Sequence, residues 1–564
     1  MELNRRSFLK GALATGTAAA AAMVIPACSP TTQSSESPGG SSTSPNSSSS
    51  NSAKRSWEVK PEAITDIAEE KDFDIVIVGA GLAGLSAAEA AARSGASVAV
   101  LEQTNEFQVR GLDVGHIGSQ WQIKNGIDID PQEASRLLHQ WAHQTTNYNL
   151  INTWATRSGK VFDYMEELAE KYGISMVTAI SPTAKLGWDK LEERWKVLPD
   201  AVSFTAPTDE GLFTEDGRLL NHNLGFMLEQ NSLEYGAEYF FNTFGEQLVG
   251  DASSGITGVI AKTDSGYTQF NALKGVILAS GDFGANEEMC DAFAPIVARV
   301  DGDTYTPPNG NTGQGMLMGA WAGAAFSKAP AAPMVHQFTT SNLSSNLTSF
   351  VMTWLAVDKH GRRYGAELPF EPYLTNARMN TDGNIAWSIF DGDYAQYVQK
   401  QYPENYEAVL AGQAEELERR IKEEGDMVKA DTLDELAKLI DVPADELKKT
   451  VERFNGYCQA GADPEFNVPE RFLSEIKTPP FYASVNAASK LVIPFGLHVN
   501  DDSQVCTEDD QPIEGLFAIG NMQGDFFAFS YPVHCPGVSH GRCVTFGQLV
   551  GEALAKDTVI TATA

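Results

Sequence analysis

Six cysteines in 564 residues, at positions 28, 290, 458, 506, 535 and 543, form neither CxxC nor CxxCH. The chain therefore offers no thiolate set for an iron–sulfur cluster and no haem-attachment site, and no other metal-ligand pattern stands in for them. Basic residues are scarce: 41 Lys and Arg stand against 74 Asp and Glu, a net charge of −33. Nucleic acid and anionic lipid both need a basic surface, so neither is an expected partner. No internal repeat at solenoid or propeller periods appears. The apolar run near the start, ending at Pro26-Ala27-Cys28, is too short to span a bilayer.

What the chain does have is bulk and pattern. An apolar content of 42% over this length supports a globular body of two lobes. Asn4-Arg5-Arg6-Ser7-Phe8-Leu9-Lys10, ahead of the short apolar run, is a twin-arginine export pattern. Val24-Ile25-Pro26-Ala27-Cys28 resembles a lipoprotein cleavage site that would leave Cys28 acylated, and residues 29–55 have the Ser/Pro/Thr/Asn/Gly composition of a flexible tether. The expected location is the cell envelope, outside the cytoplasmic membrane and held there by a lipid at Cys28.

The run Phe73-Asp74-Ile75-Val76-Ile77-Val78-Gly79-Ala80-Gly81-Leu82-Ala83-Gly84, an alanine-rich stretch and then Ser97-Val98-Ala99-Val100-Leu101-Glu102 read as one βαβ unit. Gly79 permits the tight turn, Gly81 lets backbone approach a pyrophosphate, and Gly84 lets the helix pack on the strand. Glu102 ends the second strand where an acceptor for ribose hydroxyls is needed. A dinucleotide site follows, with Gly79, Ala80, Gly81, Gly84 and Glu102 as contacts. Val276-Ile277-Leu278-Ala279-Ser280-Gly281-Asp282 is a second buried parallel strand ending in a glycine turn, a further edge of the same site at Gly281 and Asp282. Composition changes from about 330 to 478, where Pro-rich connections bracket aromatic strands and a charged helical block from Glu404 to Tyr457. The chain then returns through Gly515-Leu516-Phe517-Ala518-Ile519-Gly520-Asn521, and Ser539-His540-Gly541 precedes a closing helix.

Together these blocks resemble the flavoprotein family that includes fumarate reductase and succinate dehydrogenase flavoprotein subunits, flavocytochrome fumarate reductases and 3-ketosteroid dehydrogenases. The resemblance covers residues 72 to 555 and implies an α/β fold: a Rossmann-like FAD-binding domain (56–330 and 479–564) with an inserted α+β capping domain (331–478). It also implies that the dinucleotide is FAD, with Gly520, Asn521, Ser539 and His540 added to its contacts; Arg542 and His540 are read as flavin-side or packing residues.

In that family hydride passes from the flavin to an alkene carbon while an arginine supplies a proton. His336, in Met334-Val335-His336-Gln337, matches the first substrate histidine, but Glu371 stands in the arginine's place and Leu347 and Phe350 replace the residues that feed it. Phe527 stands for the second substrate histidine and His534 for the carboxylate-clamping arginine. Two buried negative charges without cationic partners would cost several kcal/mol, so fumarate is a poor candidate. Phe526, Phe527, Phe529, Tyr531 and Pro532 instead form an apolar wall for an aromatic or polycyclic substrate. His336, Tyr531 and His534 are the candidates for polarising a carbonyl, and Glu371 and Tyr373 for the acid.

The residues point to an exported FAD-dependent reductase that saturates the C=C bond of an aromatic α,β-unsaturated carbonyl or carboxylate compound, used as an anaerobic respiratory acceptor. Electrons would come from a separate protein such as a membrane-linked cytochrome. A 3-ketosteroid-type dehydrogenase and a flavin electron-transfer module remain alternatives.

Overall fold

A computed structural model describes residues 54–179, 196–303, 310–336, 352–368, 373–403, 406–486, 488–532 and 534–560. The export signal (1–28) with Cys28, most of the tether, Leu347, Phe350 and Glu371 lie outside the described residues.

The strand Ile67–Val78 sits in the middle of an eight-stranded sheet whose main path runs Gln504–Cys506, Pro512–Ala518, Gly266–Leu278, Ile67–Val78, Val98–Leu101, Glu238–Phe240. Its apolar end is parallel to both neighbours: Ile75 to Val78 register with Val98 to Leu101 on one side and with Gly275 to Leu278 on the other. A strand covered on both faces carries β-branched residues at every position rather than at alternate ones, which is why Ile75, Val76 and Ile77 are all fully buried. Phe244–Asp251 and Gly255–Thr263 extend the sheet as an antiparallel branch off Gly266–Leu278.

The helix Leu82–Arg93 is buried from Leu82 to Ala92, because the closing helix Val538–Ala555 lies directly on it. Small residues on both surfaces allow that approach. A Cβ added at Gly551 would meet the Ala87 carbonyl oxygen at 2.4 Å, and one at Gly547 would meet the Ala83 carbonyl oxygen at 2.8 Å. One carboxylate ties the helices together. Buried Glu89 accepts from Arg93 (2.9 Å), Tyr164 (2.6 Å), Asn231 (2.8 Å) and Gln548 (2.7 Å), from four helices including its own. A charge so buried is tolerable because its acceptor positions are filled.

A second hydrophobic core gathers Met352, Trp354, Leu355, Ile389, Phe390, Leu447, Phe454 and Phe472 with their neighbours. It packs on an antiparallel sheet in the order Leu355–Asp358, Ala386–Phe390, Phe481–Val485, Met427–Ala430. The strand Phe481–Val485 lies past residue 478, since chain returning from the charged helices pairs in this sheet before leaving it. The charged block is several helices interrupted by the strand Met427–Ala430. Arg378 of this region donates to Asp301 at 2.7 Å, and Arg299 donates to Asn380 at 2.9 Å, fastening the second core to the segment that follows the first.

Candidate FAD and substrate site

The glycine turn has the geometry that its residue types predict. Gly79 adopts φ +105°, and a Cβ there would stand 2.6 Å from the Ala279 carbonyl oxygen. At Gly84 it would stand 1.9 Å from the Gly79 carbonyl oxygen, so the helix can start this close to the strand only without a side chain. Gly81 is different. Its face is open, with the nearest atom 3.7 Å from an added Cβ, and no side chain caps the helix it begins. An uncapped helix start behind an open glycine face is what a pyrophosphate requires.

Glu102 closes the turn from the neighbouring strand. One carboxylate oxygen accepts the Ala80 amide (2.8 Å); the other accepts the Thr104 amide (3.0 Å) and hydroxyl (2.8 Å). Asp282 is buried after the positive-φ turn at Gly281, and its oxygens accept the amides of Gly284 (2.9 Å) and Ile493 (3.1 Å). Burial pushes its carboxyl up, against those amides and the nearby Arg110 and Lys490. Both of these bonds are thus to backbone amides that shape the turn. Gly520 packs against the first turn of Leu82–Arg93, where an added Cβ would meet the Ala83 methyl at 2.9 Å, and the Asn521 side-chain oxygen accepts from Arg542 (3.1 Å).

Ser539 and His540 lie inside the first turn of the closing helix rather than before it. The Ser539 amide donates to the Tyr531 hydroxyl oxygen at 3.0 Å. His540 bonds the Asp113 carbonyl through Nδ1 (2.8 Å) and is held neutral by burial; its ring covers Gly111, where a Cβ would be 2.2 Å from it. Gly541 packs on the Gly115 carbonyl oxygen, 1.6 Å from an added Cβ.

Several residues here carry no signal in the local sequence. Gly111 and Gly115 follow Glu102 without a recognised spacing, yet both receive the closing helix. Asp200, fully buried, lies against Gly115, and neither of its carboxylate oxygens has a hydrogen-bond partner. Burial, helped by Asp113, keeps it neutral. Asn221 Oδ1, Gln523 Oε1 and Arg542 Nε are likewise buried without partners. Polar atoms are rarely left so in a folded interior. Their position on segments bordering the glycine turn and the closing helix fits a large polar ligand.

Residues 74–533 match the FAD binding domain family. The chain belongs to that family. It is an FAD-dependent oxidoreductase, and the dinucleotide read from the glycine turn is FAD. This flavoprotein is 27% identical over 497 residues to the urocanate reductase of Eggerthella lenta, across 83% of this chain and 73% of that one. It is 26% identical over 580 residues to the 3-oxosteroid 1-dehydrogenase of Mycolicibacterium smegmatis, across 86% of this chain and 97% of that one. The open conformation of a flavocytochrome c3 fumarate reductase has the same fold, with a TM-score of 0.63 at 21% identity over 89% of this chain and 82% of that one. Residues 2–22 match the twin-arginine translocation signal, which addresses the flavoprotein to that export route.

The aromatic segment divides in two. Phe526, Phe527 and Tyr531 are buried together, Phe526 edge-on to Phe527 at 4.7 Å between centroids and Phe527 tilted on Tyr531 at 5.4 Å. Phe529 turns away: it is 48% exposed at φ +66° and meets His143 edge-on at 5.0 Å. His534 is buried beside Trp141, with Nδ1 on the Lys196 carbonyl (2.6 Å). Burial lowers its pKa, so the ring is neutral at pH 7, with Nε2 free to accept and no charge to offer a substrate. Burial raises the pKa of Tyr531. The backbone of His336 pairs with Ser489 in a small three-stranded sheet, and Tyr373 opens the helix Tyr373–Arg378. Tyr531 and His534 thus share one segment with Ser539, while His336 and Tyr373 belong to other elements, the strand Met334–His336 and the helix Tyr373–Arg378.

Proposed function

We propose that this flavoprotein is an exported reductase that saturates the C=C bond of an aromatic α,β-unsaturated carbonyl or carboxylate compound, used as an anaerobic respiratory acceptor. The observation that carries this reading is the buried Phe526–Phe527–Tyr531 wall on the segment that also bears His534. The similarity to a urocanate reductase supports it as well, since the named substrate of that relative joins an aromatic ring to an unsaturated acid. Bound FAD supplies the hydride, from its N5.

The chain's own groups do the rest. The aromatic rings stack the substrate and exclude water. Tyr531, whose oxygen accepts the Ser539 amide, keeps its O–H for the substrate carbonyl, where charge develops as hydride arrives. His336 completes the polar contacts, His534 lines the site as a neutral ring, and Glu371 or Tyr373 delivers the proton to the α carbon. In this reading residues 331–478 cap the site, Gly79, Ala80, Gly81, Gly84, Glu102, Gly281, Asp282, Gly520, Asn521, Ser539 and His540 line the FAD, and a lipid on Cys28 tethers the enzyme beside a membrane-linked cytochrome that supplies electrons.

The likeness to a 3-oxosteroid 1-dehydrogenase over 97% of that protein favours a second reading, a dehydrogenase of cyclic ketones. One assay separates the two. Flavin bleached anaerobically with dithionite is mixed with aromatic enoates, cyclic enones and fumarate while the flavin band is followed. Reoxidation by aromatic enoates is the expected result. Reduction of the oxidised flavin by a saturated ketone selects the second reading, and turnover confined to small diacids overturns both.

A further inference from the structure

Arg542, near the start of the closing helix, is fully buried. Its hydrogen bonds go to neutral oxygens: Nη1 to the Gln523 carbonyl (3.3 Å) and Nη2 to the Asn521 side chain (3.1 Å). Nε has no partner. The guanidinium is otherwise covered by the faces of Phe527 and Phe526, 4.7 and 5.2 Å from their centroids. Among the described residues no carboxylate forms an ion pair with it.

The titratable groups packed around it do not compensate the charge. Burial keeps Tyr531 and Cys543 in their neutral forms, and does the same for Asp200 and Cys535, which lie beyond Tyr531. Burial also lowers the pKa of Arg542 itself, to about 10, which leaves it charged at neutral pH. The amide end of the closing helix, one turn away, adds positive potential of the same sign. An isolated buried cation is costly unless an anion answers it.

The segments that grip Arg542 are the turn at Asn521, the Phe526–Phe527 wall and the helix start at Ser539, and the inference rests on the reading above that Asn521, Ser539 and His540 line the FAD. The oxidised flavin ring is neutral, whereas the reduced ring loses a proton readily and becomes an anion. A fixed positive charge therefore binds the reduced form better, and differential binding of two states shifts their equilibrium. We propose that Arg542 raises the reduction potential of the bound flavin by presenting an uncompensated positive charge to its reduced form, so that a donor of modest reducing power can load it. This goes beyond the substrate reading, because it holds for a reductase and a dehydrogenase alike.

The test uses the FAD-loaded, full-length protein equilibrated anaerobically with reference redox dyes, with flavin absorbance as readout and no organic substrate present. At a fixed dye poise, Arg542→Gln is expected to shift the reduced-to-oxidised ratio toward oxidised flavin by tenfold or more, about 30 mV per tenfold for a two-electron couple. Arg542→Lys, which keeps the charge, is expected to stay close to wild type. An Arg542→Gln protein that retains FAD and poises with the wild type overturns the proposal, as does a Lys variant that falls as far as the Gln variant. If the Gln variant does not hold FAD, the wild-type enzyme decides alone. Stabilised anionic flavin takes up one proton per two electrons on the acid side of neutrality, and two protons per two electrons there would overturn the proposal. Failure of the enoate assay would leave these potentials untouched.

Discussion

The carboxylate of Glu102 accepts the amide of Ala80 at 2.8 Å, so the acid that ends one strand holds the glycine turn that ends its neighbour. The same carboxylate accepts two bonds from Thr104. Glu102→Ala should remove charge-assisted bonds worth about 1.5–3 kcal/mol in comparable cases and, in the proposed reading, the acceptor for the ribose. We expect FAD retention to weaken about tenfold or more, read from the flavin-to-protein absorbance ratio after gel filtration at several dilutions.

Gly84 tests the turn from its other side. An alanine there would place its Cβ 1.9 Å from the Gly79 carbonyl oxygen, which is backbone and cannot rotate away. Gly84→Ala should cost at least about 1–3 kcal/mol, as overpacking of well-filled interiors does, and empty the FAD site. Gly456→Ala, in the middle of the helix Ala444–Ala460 with open space around it, should leave FAD content unchanged and raise the melting temperature slightly.

Phe527 should govern substrate shape. It touches Phe526, Tyr531 and Arg542 through its ring. Phe527→Leu keeps most of the volume and loses the ring contacts, worth about 0.5–1.5 kcal/mol per aromatic pair. Steady-state assays should show KM for an aromatic enoate rising while KM for an aliphatic enoate holds. An equal rise for both would mean that the residue only packs.

His498 and Asp525 set a pH dependence. His498 bonds Asp525 through Nδ1 (2.6 Å) and Asp510 through Nε2 (2.7 Å), and the bond to Asp525 raises its pKa. Burial pushes Asp525 up, but the His498 bond and charge outweigh it and hold the carboxyl below its usual range. The histidine contribution is therefore complete below the ordinary histidine pKa and is lost as pH rises through the raised value. That of Asp525 is present above the ordinary carboxylate pKa and is lost as pH falls through the lowered one. Denaturant midpoints across a pH series should show a plateau between those limits, and His498→Gln should remove about 1–2 kcal/mol on the plateau and flatten its alkaline edge.

Much of the cofactor half is legible in local sequence. The run from Phe73 to Gly84 states its own geometry, because a doubly covered strand and a turn without room for Cβ leave few alternatives to Val, Ile and Gly. The aromatic segment is legible only as composition. Phe526 and Phe529 are the same residue type three positions apart, yet one is buried and the other is half exposed, since the chain turns at Phe529 into a conformation that no local pattern announces.

By itself the sequence determined the nucleotide-binding unit, the export address and the family, each of which is carried by short blocks whose own residues lie within a few turns of one another. Only the tertiary structure decided which groups meet across the chain: His534 with the Lys196 carbonyl, Asp200 against Gly115, and Arg542 among neutral partners behind two phenylalanine rings. Their protonation and charge depend on burial and on neighbours far away in the chain, and those are fixed when the closing helix packs onto the sheet.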